Sequence, residues 1–129
     1  MEYRILIAGS RDFTNYDFLE SSVSEFLKGH QDKEIIIISG AARGADKLGE
    51  RYAQNHGLKV IQFFPDWSRY GKRAGHIRNT QMLEYIQENN CACAVLAFWD
   101  GESRGTKDTI TTAQNKGIET KIFRFTKEG

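Results

Sequence analysis

Five short apolar runs, each rich in β-branched or aromatic residues, alternate along this chain with segments whose apolar residues recur at helical spacing. The runs are Tyr3–Ala8, Glu34–Ser39, Leu58–Phe64, Ala92–Phe98 and Thr120–Phe125. The helical segments are Tyr16–Lys28 (Phe18, Leu19, Val23, Phe26, Leu27), Ala45–His56 (Leu48, Tyr52, Ala53), Gly75–Glu88 (Ile77, Met82, Tyr85, Ile86) and Thr106–Lys116 (Ile110, Ala113). Gly29, Gly57 and Gly117 stand where helices would end, the position glycine favours past a C-terminus. Such alternation predicts an α/β fold of three layers, a parallel sheet with helices on both faces. Ile5–Ala8, Ile35–Ile38 and Ala94–Phe98 are continuously apolar, as central strands should be. The third and fifth runs carry Lys59, Gln62, Lys121 and Arg124, as edge strands can. With right-handed crossovers the simplest strand order is 3-2-1-4-5. The chain then reverses direction across the sheet between strands 1 and 4, where open α/β sheets bind ligands.

A chain of 129 residues with 40% hydrophobic and 27% charged residues suits one domain spanning 1–129, large enough to fold without disulfides or metal. Lys and Arg number 18 against 17 Asp and Glu, so the clear basic excess of a protein that coats duplex DNA is missing. Cys91 and Cys93 lie two apart in one apolar run, too close for an ordinary bridge. The start Met-Glu-Tyr-Arg-Ile-Leu has no signal-peptide pattern, and no apolar stretch approaches the roughly 20 residues that span a bilayer. The expectation is a cytoplasmic protein with reduced thiols and no membrane partner.

The segments after strands 1, 2 and 4 are Gly9-Ser10-Arg11-Asp12-Phe13, Ser39-Gly40-Ala41-Ala42-Arg43-Gly44-Ala45-Asp46 and Asp100-Gly101-Glu102-Ser103-Arg104-Gly105-Thr106. A parallel sheet brings all three out at one edge. Each combines glycine, a small hydroxyl residue and arginine. Glycine lets backbone approach a ligand, N–H groups at a helix start favour an anion, and arginine forks onto phosphate or carboxylate oxygens. Neither G-x-x-x-x-G-K-[ST] nor G-x-G-x-x-G is present, which disfavours a Walker ATPase and a standard dinucleotide fold. A fourth segment, residues 66–79, is aromatic and basic, with Trp67, Arg69, Lys72, Arg73 and Arg78. It reads either as a solvated loop or as a lid offering an aromatic face and cations. Arg78 and Asn79 are expected in the first turn of a helix, where the dipole disfavours a cation that lacks an anionic partner.

These motifs resemble the SLOG superfamily, which includes the DNA-processing protein DprA and the LOG proteins. The likeness is greatest to its small stand-alone YspA-like branch. It runs through Gly9–Phe13, Gly40–Asp46, Asp66-Trp67, Ala74-Gly75-His76-Ile77-Arg78-Asn79 and Gly105-Thr106. Ser39, Gly40, Ala42, Arg43, Gly44 and Asp46 are similar to the phosphate-binding loop of DprA. The resemblance implies a Rossmann-like sheet, pairing through helices into a homodimer, and a ligand set of Gly9, Ser10, Arg11, Ser39, Gly40, Ala42, Arg43, Gly44, Asp46, Trp67, Arg78, Asn79, Gly105 and Thr106. LOG enzymes cleave the N-glycosidic bond of nucleoside monophosphates with a pattern resembling P-G-G-x-G-T-x-x-E. Here Trp99-Asp100-Gly101 replaces Pro-Gly-Gly and Thr109 stands at the glutamate position, where it can serve neither as carboxylate base nor as oxocarbenium stabiliser. Asp108 would point about 100° around the helix. His76 takes the place of a proline common in YspA-like relatives.

His30 and His56 fall near helix ends as surface or capping residues. Cys91, Cys93 and His76 do not make a metal-ligand pattern, and no cofactor is called for. Asp46 reads as structural support in a helix first turn; Asp12 reads equally as support or as a contact to ribose. Three functions compete. The leading one is binding or sensing of a nucleotide-derived phosphate ligand, either a nucleoside phosphate or an ADP-ribose-like molecule. The second is an enzyme acting on the N-glycosidic or phosphate linkage of such a ligand, with Asp12, Arg78 and His76 as catalytic candidates. The third is DprA-like binding of single-stranded nucleic acid.

Overall fold

A computed structural model of the protein describes residues 1–126. The elements run β1 (Glu2–Gly9), α1 (Tyr16–Leu27), β2 (Glu34–Ser39), α2 (Ala45–Asn55), β3 (Lys59–Gln62), α3 (Trp67–Tyr70), a 3-10 turn (Gly71–Arg73), α4 (Ala74–Gln87), β4 (Ala92–Trp99), α5 (Arg104–Asn115) and β5 (Glu119–Arg124). All five strands pair in parallel in the order β3-β2-β1-β4-β5. This is the order that the run of central and edge strands predicts.

The sheet is apolar where it is covered on both faces. Ile5, Leu6 and Ile7 of β1 and Val95, Leu96 and Ala97 of β4 are wholly buried, whereas every position of β3 and β5 is exposed or half-buried. Odd-numbered β1 residues Tyr3, Ile5 and Ile7 pack with Leu19 and Val23 of α1 and Tyr52 and Ala53 of α2. Even-numbered Leu6 and Ala8 pack with Met82, Leu83 and Ile86 of α4 and Ile110 and Ala113 of α5. The period-2 alternation of a strand thus divides one apolar run between two helical layers. Among the described residues no helix is long and apolar enough to cross a membrane.

Two local expectations are corrected. Residues 67–73, read as a loop or lid ahead of the third helix, are themselves helical. Asp66 caps α3 by accepting from the Arg69 N–H at 3.1 Å, and Gly71 ends it at φ +56°, a conformation that costs glycine little. The chain then turns directly into α4, which begins at Ala74. Arg78 therefore lies in the second turn of α4, beyond the reach of most of the helix-end dipole. Its burial needs another account, given below. Similarly, α5 begins at Arg104 rather than Thr106, because Ser103 caps it.

Candidate functional site

Ser10 fastens the loop after β1 to its neighbours. Its N–H donates to the Phe98 carbonyl of β4 at 2.9 Å. Its own carbonyl accepts from Phe13 at 3.2 Å and from Ala45, the first residue of α2, at 3.3 Å. Its hydroxyl accepts from the Asp100 N–H at 3.3 Å. Phe13 anchors the far end of the loop in the core, stacked 5.2 Å from Phe98. The chains meet here with no room for side chains. At Gly44 (φ +82°, ψ −131°) a Cβ would collide with the backbone of Ser10 and Arg11, and at Gly9 it would run into the Phe98 carbonyl.

The loop after β2 is held from within. Ser39 accepts from the Ala41 N–H at 3.0 Å and donates to Glu50 at 2.6 Å; Asp46 accepts from the Ala42 N–H at 3.2 Å. These bonds hold Ala41 at φ +61°, a left-handed conformation that costs a residue with a Cβ about 1–2 kcal/mol. Across from the loop, Arg78 of α4 donates through Nη1 to the Gly40 carbonyl at 2.5 Å and through Nε to Asn79 at 2.8 Å. A Cβ at Gly40 would sit 2.8 Å from the Asp46 carboxylate and 3.0 Å from Arg78, so only glycine lets these two groups share the space. Arg78 is 8% exposed and Asp46 is 7% exposed. Burial pushes the Asp46 carboxyl up to about 6, although the Ala42 N–H and the Arg78 charge pull the other way. Burial likewise pushes the Arg78 guanidinium down, opposed by Asp46, and it remains a cation.

The loop after β4 is a capping structure. Asp100 accepts from the Glu102 and Ser103 N–H groups, both at 2.8 Å, and the Trp99 indole donates to the Ser103 carbonyl at 3.0 Å. Ser103 then caps α5 against Thr106. The direction a side chain would take from Gly105 is open.

Together these loops and α4 enclose a crevice of about 440 Å³ at the C-terminal edge of the sheet, over β1. Of the residues expected there, Gly9, Ser10 and Arg11 come from the first loop and Ala42, Arg43 and Asp46 from the second. Arg78 and Asn79 come from α4, and Gly105 and Thr106 from α5. Asp12 lines it as well, and Arg43 approaches Asp12 at 3.9 Å on the exposed rim. Ser39, Gly40 and Gly44 are not on the wall; they shape it from behind, through the bonds and close contacts above. Trp67 is 53% exposed on α3 and does not reach the crevice, and neither does His76, whose Nδ1 meets Asp108 at 2.8 Å on the surface. Thr109 does line it, with its hydroxyl donating to the Gly105 carbonyl of its own helix at 3.2 Å.

Reasoning from glycine and arginine missed two acidic members of the wall, Asp100 and Glu102. The signal was the Asp-Gly-Glu-Ser string itself, an Asx turn ahead of a helix. With them, three guanidinium groups and four carboxyl groups line the crevice. The wall is therefore not uniformly basic. Cations with the first turn of α5 suit an anion, and carboxylates facing them suit hydroxyl donors. Among the described residues no cluster of histidine, cysteine or carboxylate side chains has metal-binding geometry.

A family model described as YspA, cpYpsA-related SLOG family matches residues 3–70. That stretch includes the loops after β1 and β2, but not Arg78 or α5. The Gene 61 protein of Mycobacterium phage D29 is 31% identical over 120 residues, covering 89% of this chain and 91% of the phage protein. Among solved structures, the X-ray structure of TM1055, a structural-genomics target, matches with a TM-score of 0.61 at 16% identity, over 93% of this chain and 72% of that one. At that identity the likeness concerns the fold.

Proposed function

The chain belongs to the YspA, cpYpsA-related SLOG family, and from that premise we propose that it binds a nucleotide-derived phosphate ligand in the crevice over β1. A nucleoside phosphate or an ADP-ribose-like molecule is the fitting class. The observation that carries this reading is Arg78, a buried cation on the crevice wall whose hydrogen bonds among the described residues are made through Nη1 and Nε. A guanidinium has five N–H donors, so part of its fork is left for a bound anion. Arg11 and Arg43 supply further cations at the mouth, and the first turn of α5 adds backbone N–H groups. Asp12, Asp100 and Glu102 supply acceptors for ribose hydroxyls. A bare phosphate or a DNA backbone would leave these carboxylates facing like charge, which places single-stranded nucleic acid behind a nucleotide as partner. In this reading residues 1–129 act as one binding domain in the cytoplasm.

A catalytic reading has one observation in its favour. Asp46 lines the crevice with a pKa of about 6, so it can hold a proton near neutral pH as a general acid must. Against it, Thr109 replaces the carboxylate that a LOG-type hydrolase uses. Binding without hydrolysis is therefore the leading function. Calorimetric titration with AMP and with ADP-ribose tests it. Dissociation constants below about 1 mM that rise on Arg78→Lys support the crevice as the site. No heat from either nucleotide, up to millimolar concentration, defeats the reading.

A further inference from the structure

A second cavity, of about 610 Å³, opens beside the crevice, and Asp12 lines both. Its walls come from the start of α1 and the end of β5: Thr14, Asn15 and Phe18 on one side, Arg124, Phe125 and Thr126 on the other. Phe13 closes the bottom, with its ring 4.8 Å from that of Phe125. Arg124 joins the two spaces physically. Its guanidinium lies 5.3 Å from the Trp99 ring and covers Gly101, where a Cβ would strike it. Gly101 belongs to the same loop whose Asp100 and Glu102 wall the crevice. Asp12 is the residue common to the two linings, with Arg11 and Arg43 in that of the crevice and Arg124 in that of the second cavity.

Each cavity alone falls within the roughly 300–1,000 Å³ that holds one small molecule. The linings differ in kind. The crevice is dominated by charge, whereas the second cavity combines phenylalanine rings with hydroxyl and amide groups and one cation. Such a mixture suits an aromatic heterocycle, which packs its face on apolar carbon, offers its edge to polar groups and stacks with a guanidinium. We infer that the second cavity is the far half of the same site, and that the ligand is a nucleoside diphosphate carrying a second ring-bearing group. Its diphosphate lies in the crevice, the linking ribose crosses at Asp12, and one ring enters the cavity between Phe18 and Phe125. This rests on the reading of the crevice as a nucleotide site and extends it to a ligand with two ends.

The test compares AMP with NAD, a nucleoside diphosphate that carries a second heterocycle, by calorimetry on the full chain, in the wild type and in two variants. Thr126→Trp fills the second cavity from an exposed position, and Arg124→Ala removes its cation. Melting curves verify that both variants fold. NAD should bind at least about tenfold tighter than AMP, near the lower end of what stacking one base contributes. That ratio should fall towards one in both variants. Equal affinities in the wild type, with AMP binding intact, overturn the second half of the site and leave the crevice reading standing. A large ratio that survives both substitutions overturns it as well, because the second group would then bind elsewhere. Failure of the wild type to bind either nucleotide removes the crevice reading and this extension together.

Discussion

The guanidinium of Arg78 bonds the carbonyl of Gly40, a residue 38 positions earlier in the chain, and the Asp46 carboxylate lies beside it, in the space that a side chain on that same glycine would fill. An arginine on one helical layer thereby braces the loop leading into a helix on the other layer, directly beneath the crevice.

Arg78 should therefore matter for stability and for binding at once. Arg78→Lys keeps the charge but loses the planar fork, so nucleotide affinity should fall by about 1.5–3 kcal/mol, the scale of a charge-assisted hydrogen bond. Arg78→Ala should also lower the melting temperature, because it leaves the Gly40 carbonyl and the buried Asp46 carboxyl without their cation. Calorimetry and thermal melts on the pair separate the two effects. Wild-type affinity in the lysine variant would mean that Arg78 is a brace only.

The rim cations should behave differently. Arg11 is exposed and the Arg43 side chain is 77% exposed, and its contact with Asp12 is of the surface kind that contributes about 0–1 kcal/mol. Arg11→Ala or Arg43→Ala should weaken nucleotide binding by about 1.5–3 kcal/mol while leaving thermal stability nearly unchanged. Normal binding with a much lower melting temperature would identify these arginines as supports instead.

Asp46 should give stability an unusual pH dependence. Its carboxyl titrates near 6 in the folded chain against 3.8 when unperturbed, so between those values the folded state holds the extra proton. The stability from this proton is fully present below about pH 4 and is lost as pH rises through 6, by about 2–3 kcal/mol. Asp46→Asn keeps an oxygen for the Ala42 N–H and removes the titration. The variant's gain over wild type should thus grow from pH 4 to 7 in denaturant melts. Parallel pH profiles for the two proteins would refute it. ADP-ribose affinity should follow the same direction in the wild type, weakening as Asp46 ionises beside the bound anion.

Hydrolysis should be slow or absent. General acid–base help is typically worth about 10²–10⁴-fold, and the Thr109 hydroxyl is turned back to its own helix. Overnight incubation with AMP, followed by chromatography, should release little free adenine. Rapid release that Arg78→Ala abolishes would transfer the chemistry to a carboxyl group of the crevice, with Asp46 and Asp12 the first to be substituted.

Strand order, edge strands and the convergence of the loops were legible because each rests on a periodic or compositional signal in the chain. Ile35–Ile38 and Ala94–Phe98 read as central strands, and the runs that carry Lys59 and Lys121 as edges. What was not legible is where side chains act over distance. Trp67 looks like a ligand platform in a basic string, yet a one-turn helix capped by Asp66 carries it to the surface. His76 looks like a new titratable group near the site, but its partner is Asp108, outside the crevice. Asp100 and Glu102 were passed over because a charge of the wrong sign for phosphate draws no notice until the wall is seen whole. Nothing local to Arg78 announces its bond to Gly40, since the two meet only once both helical layers have packed.

Ser10 makes three of the hydrogen bonds that join the crevice loops, reaching β4, α2 and the turn before α5. A frame hung from one residue has little freedom to open one wall without disturbing the others. Relatives that keep this serine can diversify what they recognise by exchanging the side chains facing inward, such as Asn79, Glu102 or Thr109, while the outline of the opening stays fixed. Changing Ser10 itself would release only the turn before α5, which hangs from its hydroxyl, because the bonds to β4 and α2 belong to its backbone.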